Sequence, residues 1–213
     1  MFYFFTKRAI DISLSLIFLV LSAPILIFIA LAVKLDSFGP VFADMPERVG
    51  LNGKIFRMYK FRSMIKNAHI LLKKDPRFKK LYQHYVKNSF KIPTNTDPRI
   101  TKVGKFIRKT SLDELPQLIN ILKGDMSLVG PRAFHVDELE KQQKRFPKTK
   151  IFIKQAVSIK PGLTGPWQVS GRSAIDFPER IKLDAKYAEN RSVFYDLLIL
   201  LKTIPAVFGG EGN

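Results

Sequence analysis

Between Ile10 and Val33 the chain is apolar or weakly polar at every position except Asp11, the one ionisable residue in the run. About 20 apolar residues suffice to cross a hydrocarbon core, so the segment predicts a membrane helix. Lys7 and Arg8 precede it and Lys34 follows it. Phe2, Tyr3, Phe4 and Phe5 fall where aromatic side chains anchor at the headgroup boundary. The run is too long for a signal-peptide core, shows no evident small-residue cleavage site, and exceeds what one domain core usually buries. Two topologies remain, a kinked single span or a re-entrant hairpin. Pro24 sits near the middle and removes a backbone hydrogen bond, and Ser22 is placed to satisfy a freed carbonyl. Basic flanks at both ends favour re-entry at Pro24, because the positive-inside rule wants both ends cytoplasmic. Asp11 is expected to pair with Arg8 as an anchor.

Beyond this segment, residues 40–62 read as a small β-hairpin around Leu51-Asn52-Gly53, since Asn-Gly is a strong hairpin signal. Lys60 and Arg62 alternate with Tyr59 and Phe61, putting cations on one face and aromatics on the other. Residues 66–96 form a basic insertion, read as two helices broken at Pro76 that lie on an anionic surface or stand in solvent. A short helix is predicted over Val103–Arg108. Near the C-terminus, Phe194, Leu197, Leu198, Leu201 and Ile204 share one helical face. Core packing is the commoner fate of such a face and is the expectation, with an interfacial position as the alternative. The fold class is therefore mainly helical α+β. Residues 1–36 form the membrane segment and residues 37–213 one compact domain.

Composition narrows the chemistry. The 213 residues carry 36 Lys and Arg against 18 Asp and Glu, a net charge of +18. That excess calls for an anionic partner without choosing among nucleic acid, anionic lipid and phosphorylated substrates. The absence of cysteine removes disulfides, thiolate metal sites and catalytic thiols. The three histidines, His69, His84 and His135, make no metal-binding pair.

Two stretches carry candidate chemistry. In the first, Ser111-Leu112-Asp113-Glu114 has the form of a capping box, followed by an apolar stripe at Leu115, Leu118, Ile119 and Leu122 and a C-cap at Gly124. Asp113 and Glu114 are thus expected at a helix N-terminus, where the macrodipole alone accounts for acids. Against that plain explanation stand Lys105, Arg108 and Lys109 just before, and Arg132 on the Gly130-Pro131 turn after. Carboxylates amid cations suit a site for phosphate and metal, with a carboxylate as nucleophile or Mg²⁺ ligand. The second stretch, Lys160 to Arg172, holds three glycines and two prolines around Trp167. It reads either as a nucleotide loop, with a stacking face on Trp167, an amide on Gln168 and a fork on Arg172, or as a generic tight loop packed under the tryptophan.

Taken in order, KRAIDISLSL, Pro24, YKFRSM, RKTSLDELPQL, GDMSLVGPR, KPGLTGPWQVSGRS and DAKYAENRSVFYDLLILLKTI resemble the bacterial sugar transferases, monotopic phosphoglycosyl transferases that prime glycan assembly. The resemblance covers nearly the whole chain. It implies a re-entrant helix broken at Pro24 and an Asp113-Glu114 catalytic dyad. Asp113 would attack the β-phosphate of a UDP-sugar, expel UMP and pass the phosphosugar to undecaprenyl phosphate, with Mg²⁺ held by Asp113 and Glu114 assisting. It places Arg132 on phosphate, with Arg108 and Lys60 as weaker phosphate contacts. Thr164, Gln168 and Arg172 are carried over for nucleotide or sugar. A UDP-hexose, galactose or glucose, is favoured by the 66–96 insertion and the Trp167 loop. The resemblance further implies a minimal catalytic version at the bacterial inner membrane, catalytic domain on the cytoplasmic face among membrane lipids, and leaves a homodimer open. The sequence departs from the family pattern at Ala23, Pro46, Ala133 and Pro166, none of them a catalytic group.

The competing class is a non-enzymatic, basic, membrane-anchored protein binding anionic lipid or nucleic acid. An acid pair set among cations has no use in a nucleic-acid binder, so no nucleic acid is expected as partner. A transferase that moves the sugar without its phosphate would release UDP in place of UMP.

Overall fold

A computed structural model describes residues 2–43, 47–87, 92–171 and 175–208. Pro46 and Arg172 lie outside the described residues. Helix α1 runs from Phe2 to Asp36, with Pro24 inside it. The expected break into two helices is therefore not seen. A proline takes one donor from the ladder, and the remaining i→i−4 bonds carry the helix through it. Ser22 does not rescue the carbonyl that Pro24 leaves without its usual donor, that of Val20; its hydroxyl donates to the Phe18 carbonyl at 2.5 Å.

Both ends of α1 are held by the rest of the chain. Arg8 and Asp11 do not pair. Arg8 donates to the Ile121 and Leu122 carbonyls at 2.6 and 2.9 Å, and Asp11 accepts from the Ser127 hydroxyl and the Leu128 amide at 3.0 and 2.9 Å. Each thereby satisfies polar groups that a pair between themselves would have left bare. At the far end, Asp36 accepts from the Val103 amide at 3.1 Å, and Arg62 donates to the Val33 and Ser37 carbonyls at 3.0 and 2.6 Å. Between these anchors Leu21 and Phe28 are 71% and 73% exposed, too bare for a soluble core helix. It is the one described helix long and apolar enough to cross a membrane.

The rest of the described chain is mainly helical with two small strand pairs. Strands β1 (Glu47–Val49) and β2 (Ile55–Arg57) pair antiparallel around a 3₁₀ turn at Leu51–Gly53. The turn is longer than a two-residue loop, with Asn52 left-handed at φ 53°. The insertion folds as α2 (Ala68–Lys74) and α3 (Lys79–Lys87), broken at Pro76 as expected, with Asp75 capping the turn between them. Helix α4 (Lys102–Lys109) is capped by Thr101, whose hydroxyl accepts from the Gly104 amide. Helix α5 (Gln117–Lys123) ends at Gly124, φ 88°. After it come β3 (Ser127–Val129), α6 (Val136–Arg145), α7 (Lys150–Ala156), β4 (Gly162–Thr164), the single turn α8 (Pro166–Val169), α9 (Phe177–Asn190) and α10 (Val193–Phe208).

Strands β3 and β4 run parallel. A Cβ on Gly130 would lie 2.5 Å from the Lys160 carbonyl oxygen, and one on Gly162 or Gly165 would fall on the Gly130 backbone. These glycines let two backbones meet each other, which is the tight-loop explanation of the stretch from Lys160.

The main core joins Leu118, Ile121, Met126, Leu128, Val129, Tyr187 and Ile199; Leu14 and Leu19 of α1 pack on it. A smaller cluster joins Ile29 and Val33 to Phe61 and Ile107. The C-terminal helix turns opposite to expectation. Ile199 and Asp196 are buried, whereas Phe194, Leu197, Leu198, Leu201 and Ile204 face outward, Phe194 at 78% exposure. The face with Asp196 wins because a buried network of Lys7, Tyr3 and Tyr187 receives its carboxylate.

Candidate active site

The acid pair does not sit at the start of a long helix. Ser111 is left-handed (φ 56°, ψ 15°) and makes no capping bond. Asp113 and Glu114 lie in the 3₁₀ turn Leu112–Glu114, and α5 begins only after Pro116. The expected capping box is absent because its serine takes a left-handed conformation in the turn that separates α4 from the 3₁₀ turn. A non-glycine residue there costs about 1 kcal/mol or more. Ser111→Gly is expected to raise stability by about 1 kcal/mol with activity retained, read as a higher thermal midpoint.

Asp113 is buried at 2% exposure, and its backbone carbonyl accepts from the Phe61 amide at 3.0 Å. That bond brings in the preceding residue, Lys60. The Lys60 ammonium lies 3.0 Å from Asp113 Oδ2 and 3.1 Å from Glu114 Oε1. Oδ2 of Asp113 is buried, and the Lys60 ammonium is the charged group in contact with it. Burial pushes the Asp113 carboxyl up, and Lys60 opposes the shift. Burial also acts on Glu114, but Lys60 and Arg132 outweigh it and hold that carboxyl below its usual range.

Other cations frame the pair. Arg108 is near enough to act on Asp113 electrostatically, and its Nε donates to the Thr94 hydroxyl at 3.3 Å. Arg132 leaves β3 with its amide on Asp184 Oδ2 at 3.3 Å and its guanidinium 4.7 Å from the centre of the Trp167 ring. Arg48, unforeseen in the sequence, is 7% exposed and donates to the Ala133 carbonyl at 3.1 Å. Burial and the neighbouring Arg132 push it down to about 10. Lys60, Arg48, Arg108 and Arg132 thus face two carboxylates, an excess of positive charge suited to an anion such as a diphosphate. Burial and Arg48 push His135 down to about 3, so its ring is neutral at physiological pH.

Trp167 offers no open stacking face: it is 2% exposed, and Arg180 lies 5.3 Å from its ring beside Arg132. Arg180 is itself buried on Glu138 at 3.0 Å. Thr164 spends its hydroxyl on Thr203, 2.7 Å away in α10, and is buried. Gln168 is half-buried in α8. The structure therefore gathers Lys60, Arg108, Asp113, Glu114 and Arg132, and turns Thr164 toward the core. Behind them stand Asp184, which burial pushes up to about 7, and Asn120, wholly buried. Asn120 accepts from the Tyr59 amide at 2.8 Å and donates to the Arg57 carbonyl at 2.8 Å, fixing the strand that leads to Lys60. A polar residue inside the apolar Leu-Ile-Asn-Ile-Leu run was its one signal; Arg180 and Glu138, far apart in the chain, had none.

No described group of three or more His, Cys, Asp or Glu could hold a metal. Two carboxylates do fit a Mg²⁺ that takes its remaining ligands from water and phosphate, and the buried Oδ2 of Asp113, paired only with the Lys60 ammonium, suits one of them.

The fold and site define an α+β protein in which cations frame a buried carboxylate pair, one packing layer from a membrane-length helix. The chain belongs to the bacterial sugar transferase family, which matches residues 2–210. It is 42% identical, over 98% of its length, to an undecaprenyl-phosphate galactose phosphotransferase of Salmonella typhimurium, and 45% identical, over 97%, to the galactosyl transferase CpsE of Streptococcus agalactiae. The chain spans 41% and 43% of those two relatives. It is 39% identical to the exopolysaccharide production protein ExoY of Rhizobium meliloti, over 97% of this chain and 87% of the relative.

Proposed function

We propose that the protein transfers a sugar-1-phosphate from a UDP-hexose, galactose or glucose, to undecaprenyl phosphate and releases UMP. The observation that carries this reading is the Asp113–Glu114 pair held under Lys60 and facing Arg108 and Arg132. An Asp113 oxygen attacks the β-phosphorus, forming an aspartyl–phosphorus bond as the bridging oxygen leaves with its electron pair in UMP. An oxygen of undecaprenyl phosphate then attacks the same phosphorus, the Asp113 carboxylate departs, and a lipid diphosphate-sugar results. Bound Mg²⁺, held by Asp113, supplies charge neutralisation to the diphosphate. Arg132 and Arg108 orient the phosphates, Glu114 assists the acceptor, and Gln168 with Arg172 serves the nucleotide or sugar.

The site lies on the bilayer's cytoplasmic face in this reading. Both basic flanks of α1 favour that side, and both its ends grip the catalytic body. Ile29 and Val33 pack on Phe61, whose amide holds Asp113, so lipid substrate reaches the nucleophile beside the helix. The outward apolar face of α10 supports an interfacial position. In the absence of native cysteine, a polarity-sensitive dye on Leu201→Cys is expected to emit further to the blue in anionic vesicles than one on exposed Lys141→Cys. Equal spectra would place α10 away from lipid.

The deciding experiment is nucleotide release from a panel of UDP-sugars by detergent-purified protein with Mg²⁺ and undecaprenyl phosphate. UMP from one sugar establishes reaction and donor. UDP in its place means that the sugar moves without its phosphate, and no nucleotide from folded protein overturns the proposal.

A further inference from the structure

Lys60 is the one described cation in ion-pair contact with both acids. Its backbone is fixed on either side, by Phe61 on the Asp113 carbonyl and by Tyr59 on Asn120. Its ammonium is not sealed in, for the side chain keeps 17% exposure on a flexible four-carbon stem. Two adjacent carboxylates, one of them buried, repel each other and resist leaving water. An ammonium bridging them removes that penalty in the same way as a divalent cation. Ammonium and metal need the same oxygens, and like charges cannot share them at this range.

We propose that Lys60 is the resting counter-ion of the Asp113–Glu114 pair and competes with the divalent cation for its oxygens, so that metal binds firmly only together with the anionic donor. The proposal rests on the reading of this pair as a metal-assisted phosphate site. A diphosphate brings the negative charge that draws the ammonium off the acids. It also brings oxygen ligands that two carboxylates cannot supply alone. Metal and donor then enter as a unit, and the empty enzyme keeps its nucleophile paired.

The test is Mn²⁺ binding, read from the free-ion electron paramagnetic resonance signal, on the full chain in lipid nanodiscs without nucleotide. Wild-type protein is expected to bind weakly, and Lys60→Met about tenfold tighter or more, because the competing charge is gone. Lys60→Arg, which keeps the charge, should stay weak. Adding Asp113→Asn to Lys60→Met should remove the gain and so locate the ion at the pair. Lys60→Gln is measured alongside, so that one neutral variant failing to fold does not decide the matter. A purely structural lysine would lower the thermal midpoint with no gain in Mn²⁺ affinity. Neutral variants that bind no tighter than wild type, or tight wild-type binding without donor, overturn the proposal. If the affinity gain is found but no UDP-sugar yields UMP, the activity falls and the role of Lys60 stands. UMP release without the gain removes Lys60 alone.

Discussion

Asp113→Asn is expected to abolish UMP release, a loss of about a thousandfold or more, while the protein stays folded. The amide matches the carboxylate in shape but offers no anionic oxygen to attack phosphorus. The fold tolerates it because Lys60 keeps its contact with Glu114 and the backbone bond from Phe61 to Asp113 is untouched. A neutral amide also avoids the cost of burying charge that pushes this carboxyl up. The accompanying measurement is intact-mass spectrometry with UDP-sugar and Mg²⁺ but no lipid acceptor. Wild-type protein should gain the mass of a hexose phosphate and Asp113→Asn should not. An adduct on the variant would place the nucleophile elsewhere.

The second large effect concerns stability, behind the site. Glu138→Ala should lower the unfolding free energy by about 3–5 kcal/mol, because it strands a buried charge. Arg180 is 3% exposed, its guanidinium pairs with Glu138 at 3.0 Å, and it lies 4.7 Å from the Phe134 ring and 5.3 Å from the Trp167 ring. Without its carboxylate the guanidinium must find water or leave, and Trp167, on which Arg132 also rests, loses its cover. Chemical denaturation reads the loss; a change within about 0.5 kcal/mol would mean that the pair is solvated. Glu138→Gln, which keeps a hydrogen-bond acceptor, should fall between the two. Its nucleotide release should exceed that of Asp113→Asn, since Glu138 holds the arginine platform and not the reacting atoms.

Local chemistry made several features legible in advance. The apolar run predicts α1, Asn52-Gly53 marks the hairpin, Pro76 separates α2 from α3, and Gly124 ends α5, each through a constraint confined to a few residues. The acid pair among cations was visible too, since charge of one sign is costly to gather without charge of the other. Spacing misled where two local solutions compete. Ser111 has the spacing of a cap but turns left-handed between α4 and the 3₁₀ turn that carries the acids. The apolar face of α10 has helical spacing, yet the Asp196 face turns inward because Lys7, Tyr3 and Tyr187 wait for its carboxylate.

By itself, the chain's order of residues determined the membrane-length helix, the mainly helical α+β class and the placing of Asp113 and Glu114 in a stretch rich in cations, because each follows from composition or spacing within one segment. Only the tertiary structure decided which cation holds those acids, that Arg48 lies near Glu114 and Asn120 fixes the strand leading to Lys60, that Thr164 turns toward the core, and that α10 shows its apolar side outward. Those outcomes depend on which groups from distant segments share one buried volume and must satisfy each other's charge and hydrogen bonds there. Pairing energies of that kind arise between segments and have no counterpart within any one of them.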